Sequence, residues 1–137
     1  MIVKYVTSKY DIVNVLNNFD PDKITINLHD NTIIINSKVY IKVTSYTDLN
    51  EIIEYIYYFY LGHNFKLIDK YLSDIDKPIL NKKIYVVSIP RDNIEYRYVA
   101  CQYSYLYNNK VINKEFRKKF YIFDRSKHLL HIKKILL

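Results

Sequence analysis

The chain of 137 residues has one glycine, one cysteine, three prolines and no tryptophan. A single glycine excludes the glycine-rich phosphate loops, the dinucleotide fingerprint and the glycine-flanked nucleophile elbow, which need several positions without a Cβ. A single cysteine excludes an internal disulfide and every paired-cysteine zinc spacing. Cys101 therefore reads as a small core residue in a reducing compartment, with no histidine or acid beside it in sequence to activate a thiolate. No HExxH is present. His128-x-x-His131 supplies two imidazoles and no local carboxylate. The longest apolar run, Ile52–Leu61, is interrupted by Glu54 and falls far short of the ~20 residues that cross a bilayer. The N-terminus carries a charge within four residues, unlike a secretory signal. The expectation is a soluble, intracellular (cytoplasmic) protein. Only four glutamates against 13 asparagines also argues against a hyperthermophile.

What is present is strongly skewed: 21 Ile, 17 Lys, 16 Tyr and 13 Asn. These residues have AT-rich codons, a bias shared by large DNA viruses, some reduced bacteria and some protists, so a virus-encoded protein is one reading. Under such a bias only placement carries information. Charge is placed unevenly. Residues 1–76 hold seven Lys/Arg and ten Asp/Glu, a net of −3; residues 77–137 hold fourteen and four, a net of +10. The basic half calls for an anionic partner: nucleic acid, an acidic protein surface or a membrane headgroup layer. The acidic half beside it keeps a homo-oligomer open.

The length suits one domain, 1–137. The expected fold class is α+β: antiparallel meander and hairpins of about six or seven strands, two or three packed helices, and a short C-terminal basic element. MIVKYV reads as a first strand. A helix follows, capped by Thr7 or Ser8, with Ile12, Val15, Leu16 and Phe19 at helical spacing. Residues 23–44 alternate as a three-strand meander. A two-residue turn at Asp30-Asn31 sets Leu28 against Ile33 and Ile26 against Ile35. A three-residue loop, Asn36 to Lys38, then sets Val39 against Ile35 and Ile41 against Ile33. A helix runs from Ser45 or Thr47 along Leu49, Ile52, Ile53, Ile56 and Tyr60, with Gly62 as a left-handed C-terminal cap. A second, shorter helix covers 64–76, and KPILNKK is a basic connector.

From Lys83 the pattern turns to strands, with a break at Pro90. Asn108-Asn109 tolerates the left-handed φ of a hairpin turn. That turn sets Tyr105 opposite Ile112, Tyr103 opposite Lys114, Cys101 opposite Phe116, Val99 opposite Lys118 and Arg97 opposite Phe120. The other face carries Tyr96, Tyr98 and Tyr121 beside Arg117 and Lys119. Phenol rings among cations on an open sheet suit single-stranded nucleic acid: rings stack on bases and cations neutralise phosphates. The same residues also occupy exposed strands simply because they fit a pleated surface. The C-terminal stretch, with Leu129, Ile132 and Leu136 at helical spacing, favours a helix, a strand being the alternative; Lys133 and Lys134 on it join the candidate phosphate contacts.

The reading is a non-enzymatic binding module whose basic hairpin, through Tyr96, Tyr98, Arg117, Lys119, Tyr121, Lys133 and Lys134, takes nucleic acid, single strands favoured. The alternative is a protein-interaction module binding a host factor or itself. A small metal-dependent nuclease stands third, on the carboxylate pairs Asp20/Asp22 and Asp74/Asp76 and on Asp92, Glu95 and Arg97. No catalytic residue, metal or cofactor is assigned.

Overall fold

A computed structural model describes residues 2–6, 12, 16–37, 39–43 and 46–137, the side chains of 2–6, 39–40 and 46–50 excepted. Among the described residues it is mostly sheet with one long helix, roughly α+β. Eight strands form one sheet: β1 (Ile2–Val6), β2 (Ile24–Asn27), β3 (Thr32–Ile35), β4 (Val39–Val43), β5 (Ile79–Arg91), β6 (Ile94–Tyr107), β7 (Lys110–Asp124) and β8 (Leu129–Ile132). Their order is β1-β4-β3-β2-β8-β7-β6-β5. The seven strands β2–β8 pair antiparallel, and β1 joins β4 in parallel. Strand β8 thus joins the short N-terminal meander to the long C-terminal hairpins. Among the described residues no helix is long and apolar enough to cross a membrane.

The meander forms as its alternation predicts, with one shift. Ile24 pairs with Ile35 and Ile26 with Ile33, so the turn is four residues, Leu28–Asn31, and not the two-residue Asp30-Asn31 turn. The Asn27 side chain decides this. Its Oδ1 accepts the amides of His29 at 2.9 Å and Asp30 at 3.3 Å, closing an Asx turn before Asn31 takes φ 56°. A slip of two residues keeps each side chain on its face, so the apolar face survives the shift. The next loop has the expected register: Ile35 pairs with Val39 and Ile33 with Ile41.

One helix, α1 (Tyr46–Ser73), replaces the two helices expected over 45–76. Ile52, Ile56, Tyr60, Asn64, Ile68 and Leu72, four apart, are all buried. A four-residue step advances ~40° beyond a full turn, so the buried stripe winds slowly round the helix. It crosses Gly62 without interruption, and Gly62 does not take positive φ. The glycine had suggested a cap, but the apolar stripe beyond it holds the helix together. The helix expected over 7–19 and the cap at Ser45 fall largely outside the described residues. Within them, Ile12 and Leu16 are buried in the core.

The stripe packs on Ile24, Ile26, Ile33, Ile35, Ile41, Val43, Val99, Cys101, Phe120, Leu130 and Ile132, all on one face of the sheet. Two further expectations are corrected here. Residues 79–83 of the expected connector belong to β5, which also runs through Pro90 to Arg91. An edge strand has one side free of ladder bonds and so accommodates a proline. The C-terminal segment is a strand over 129–132, not a helix, because Leu130 and Ile132 alternate into the core beside Ile26 and Phe123.

Candidate nucleic-acid interface

The long strands β5, β6 and β7 are set by two hairpin turns. Asn108 and Asn109 take φ 50° and 62°, as that turn requires. Tyr105–Ile112, Tyr103–Lys114, Cys101–Phe116 and Val99–Lys118 pair as the sequence predicts. The second turn, Asp92-Asn93, joins Arg91 to Ile94, with Asp92 at φ 52°.

The register shifts between Arg97 and Tyr98. Phe120 is the extra residue: Lys119 pairs with Tyr98 and Tyr121 with Arg97. The bulge buries Phe120 and Tyr121 together, at 0% and 7% exposure. Its carbonyl is used too, accepting the Lys133 amide at 2.7 Å. Tyr121 therefore lies on the helix side and is corrected out of the outer-face cluster; Ile122 stands opposite Tyr96 in its place. Burial pushes its phenol pKa up. Tyr121 and Tyr57 of α1 meet edge to face, ring centres 5.6 Å apart, and the Arg97 guanidinium carbon lies in the corner they make, 4.5 Å and 4.7 Å from the two ring centres. Arg97 Nε donates to Glu95 at 2.9 Å. Burial opposes its charge, but the bonds to Glu95 and Tyr57 hold its pKa above the ordinary value.

Among the described residues the opposite face of β5–β7 carries no helix. Its cross-strand rows follow from the pairing: Ile89–Tyr96–Ile122, Val87–Tyr98–Lys119, Tyr85–Ala100–Arg117, Lys83–Gln102–Glu115 and Asn81–Ser104–Asn113. Tyr96 and Tyr98 are half-buried there, and the Lys119 ammonium lies 4.2 Å and 5.8 Å from their ring centres. Lys83 sits 5.3 Å from the Tyr85 ring centre. Arg117 lies beside Glu115 at 3.9 Å, and the Tyr85 hydroxyl donates to Glu115 Oε1 at 3.4 Å. Four of the expected site residues, Tyr96, Tyr98, Arg117 and Lys119, are thus brought together.

Lys133 and Lys134 are not part of this cluster. The Lys133 carbonyl accepts from Asn64 of α1, and the Lys134 amide donates to Asp22. The Asn64 Oδ1 in turn accepts the Ile135 amide at 3.1 Å, clipping the segment after β8 onto the helix. The remaining candidates of the nuclease reading are engaged separately: Asp92 is in a turn, and Glu95 accepts from Arg97 and Ser88.

Lys83, Tyr85 and Arg91 were absent from the sequence-derived site. Their signal was present. KIYVVSIPR alternates, and Asp92-Asn93 is the dipeptide read as a hairpin turn at 30–31. Applied here, it pairs Tyr85 with Ala100 and Val87 with Tyr98. No family model matches the chain, and neither curated proteins nor solved structures give a match.

Proposed function

We propose that the helix-free face of β5–β7 binds single-stranded nucleic acid, without catalysing a reaction on it. The observation that carries this reading is Tyr96 and Tyr98 side by side on an open sheet with Lys119 between their rings. Lys83, Arg91 and Arg117 are within the same three strands to meet phosphates.

The energetics favour exchange. An exposed cation–π contact is worth about 0.5–1 kcal/mol. A base stacked on a tyrosine gains about 1–3 kcal/mol. An incoming base therefore displaces the Lys119 ammonium from the ring, and the ammonium is left in reach of the adjoining phosphate. Duplex DNA cannot bring its stacked bases against these rings, so single strands bind more tightly.

Fluorescence anisotropy with labelled single-stranded and duplex DNA and RNA tests this. The expected result is preference for single strands and a loss of about 20–50-fold in affinity between 50 and 200 mM salt, for roughly three or four phosphates neutralised. Tyr96→Ala with Tyr98→Ala removes the single-strand preference. No binding at low salt would sink the reading, and an acidic protein surface would then be the partner to seek.

A further inference from the structure

The open face carries a residue that phosphate binding alone does not explain. Glu115 lies in the middle of the basic rows, between Arg117 and the polar end of the sheet, with its side chain 47% exposed. A carboxylate there repels the phosphates that its neighbours attract. Its local partners do not account for it fully. The Arg117 Nε is 3.9 Å away, beyond hydrogen-bond reach, and the Tyr85 hydroxyl uses Oε1 alone. Among the described residues Oε2 has no protein partner.

Glu115 shares its row with Gln102 and Lys83, and this row borders a groove of about 700 Å³ that also takes in Asn81, Ser104 and Asn113. The Gln102, Asn81 and Asn113 amides make no side-chain hydrogen bond within the described chain and face solvent. Rows on one face are ~6.8 Å apart, so this one is two steps along β6 from Tyr98. A strand whose bases stack on Tyr96 and Tyr98 has its following nucleotides over the groove. Across the row, Lys83 and Glu115 are two strand spacings apart, ~9.6 Å, with Gln102 between them.

We propose that the Lys83–Gln102–Glu115 row is a base-reading subsite that selects guanine in the bound single strand; this rests on the nucleic-acid reading of the same face. The selection follows from donor and acceptor order. Guanine alone presents two adjacent donors, N1–H and N2–H, which one carboxylate accepts together. Its O6 and N7 accept from a lysine. Adenine and cytosine each set a ring-nitrogen lone pair beside their amino group, against the second carboxylate oxygen. Thymine and uracil set a carbonyl on either side of their one donor. The acid thus weakens phosphate binding slightly and rejects three bases of four.

The test uses labelled oligothymidylates of about ten nucleotides whose central residue is replaced by dG, dA or dC. The full chain should bind the dG strand about tenfold more tightly than the others, the discrimination of one bidentate pair on an open surface. Glu115→Gln should reduce that advantage below about threefold while binding the all-thymidine strand as well or better. Lys83→Met should also reduce it, giving a second variant should the first fail to fold. Tyr98→Ala should weaken every strand alike and keep the ratio. Binding without a dG preference, or a preference that survives Glu115→Gln, overturns the subsite and leaves the general reading standing. Binding to none of the strands overturns both.

Discussion

Arg97 shows how much one side chain's surroundings matter. It is on the helix side, set against two perpendicular tyrosine rings and bonded to a Glu95 whose side chain is only 17% exposed. Removing the guanidinium leaves that carboxylate with the Ser88 hydroxyl at 3.3 Å and the Arg125 guanidinium at 3.7 Å, both weaker contacts. Arg97→Met should therefore cost about 2 kcal/mol in urea unfolding, from the lost charged hydrogen bond and ring contacts. Arg97→Lys should recover less than half of this, since an ammonium cannot lie flat against two rings and hold the carboxylate as well. A loss below about 0.5 kcal/mol for the methionine variant would show these ring and carboxylate contacts to be incidental. The sequence placed Arg97 on the core face but not its partner. Tyr121 was assigned to the outer face because an unbroken ladder puts it there. One extra residue, Phe120, reverses that, and bulges leave little trace in residue alternation. Burying two aromatics in succession is the gain that the two-residue period could not show.

At the scale of elements, legibility followed the strength of the local pattern. The Asn108-Asn109 hairpin and the Ile33–Ile41 register were readable because turn chemistry and alternation agreed. The C-terminal strand was not. Leu129, Ile132 and Leu136 fit a helix, while Leu130 and Ile132 fit a strand, and so short a segment satisfies both periods. The choice was made by β2 and β7, which offer β8 a slot between them. The long helix was misdivided at Gly62 because glycine is a common terminator, yet here it is a mid-helix residue. A Cβ built there meets nothing within 4 Å. Gly62→Ala should therefore stabilise the protein by about 0.5–1 kcal/mol, seen as a higher urea midpoint with an unchanged slope. A destabilising outcome would mean that the helix needs a hinge at that point.

For the whole molecule, the tyrosines set a boundary at high pH. Burial raises the pKa of Tyr60 and Tyr121, and burial with a hydrogen bond involving Tyr71 pushes Tyr103 up to about 12. Each phenol is favoured neutral in the fold, whereas an unfolded chain ionises it near 10. The stabilisation is complete below that value and is lost as pH rises from ~10 toward the folded values. Melting temperature should be level from about pH 7 to 8, slip slightly toward about pH 9.5 as the unfolded chain ionises the Cys101 thiol that burial keeps neutral in the fold, and fall steadily by about pH 11. A level profile to pH 11 would contradict the buried placement of these phenols. Tyr96 and Tyr98 lie on the opposite face, where we propose that nucleic acid binds.

Strand order also has a consequence for how the chain is made. The meander of β2–β4 and the hairpins of β5–β7 are neighbours in the sheet only through β8, which sits between β2 and β7. A ribosome delivers β2 first and Ile132 more than a hundred residues later. β7 ends only a short turn before β8 begins, so the two emerge almost together, and it is β2 that waits with an unpaired, isoleucine-rich flank. One four-residue segment made near the end then closes the sheet on both sides. Anything that slows the chain between β2 and β8 prolongs the interval in which that flank is open to the wrong neighbour.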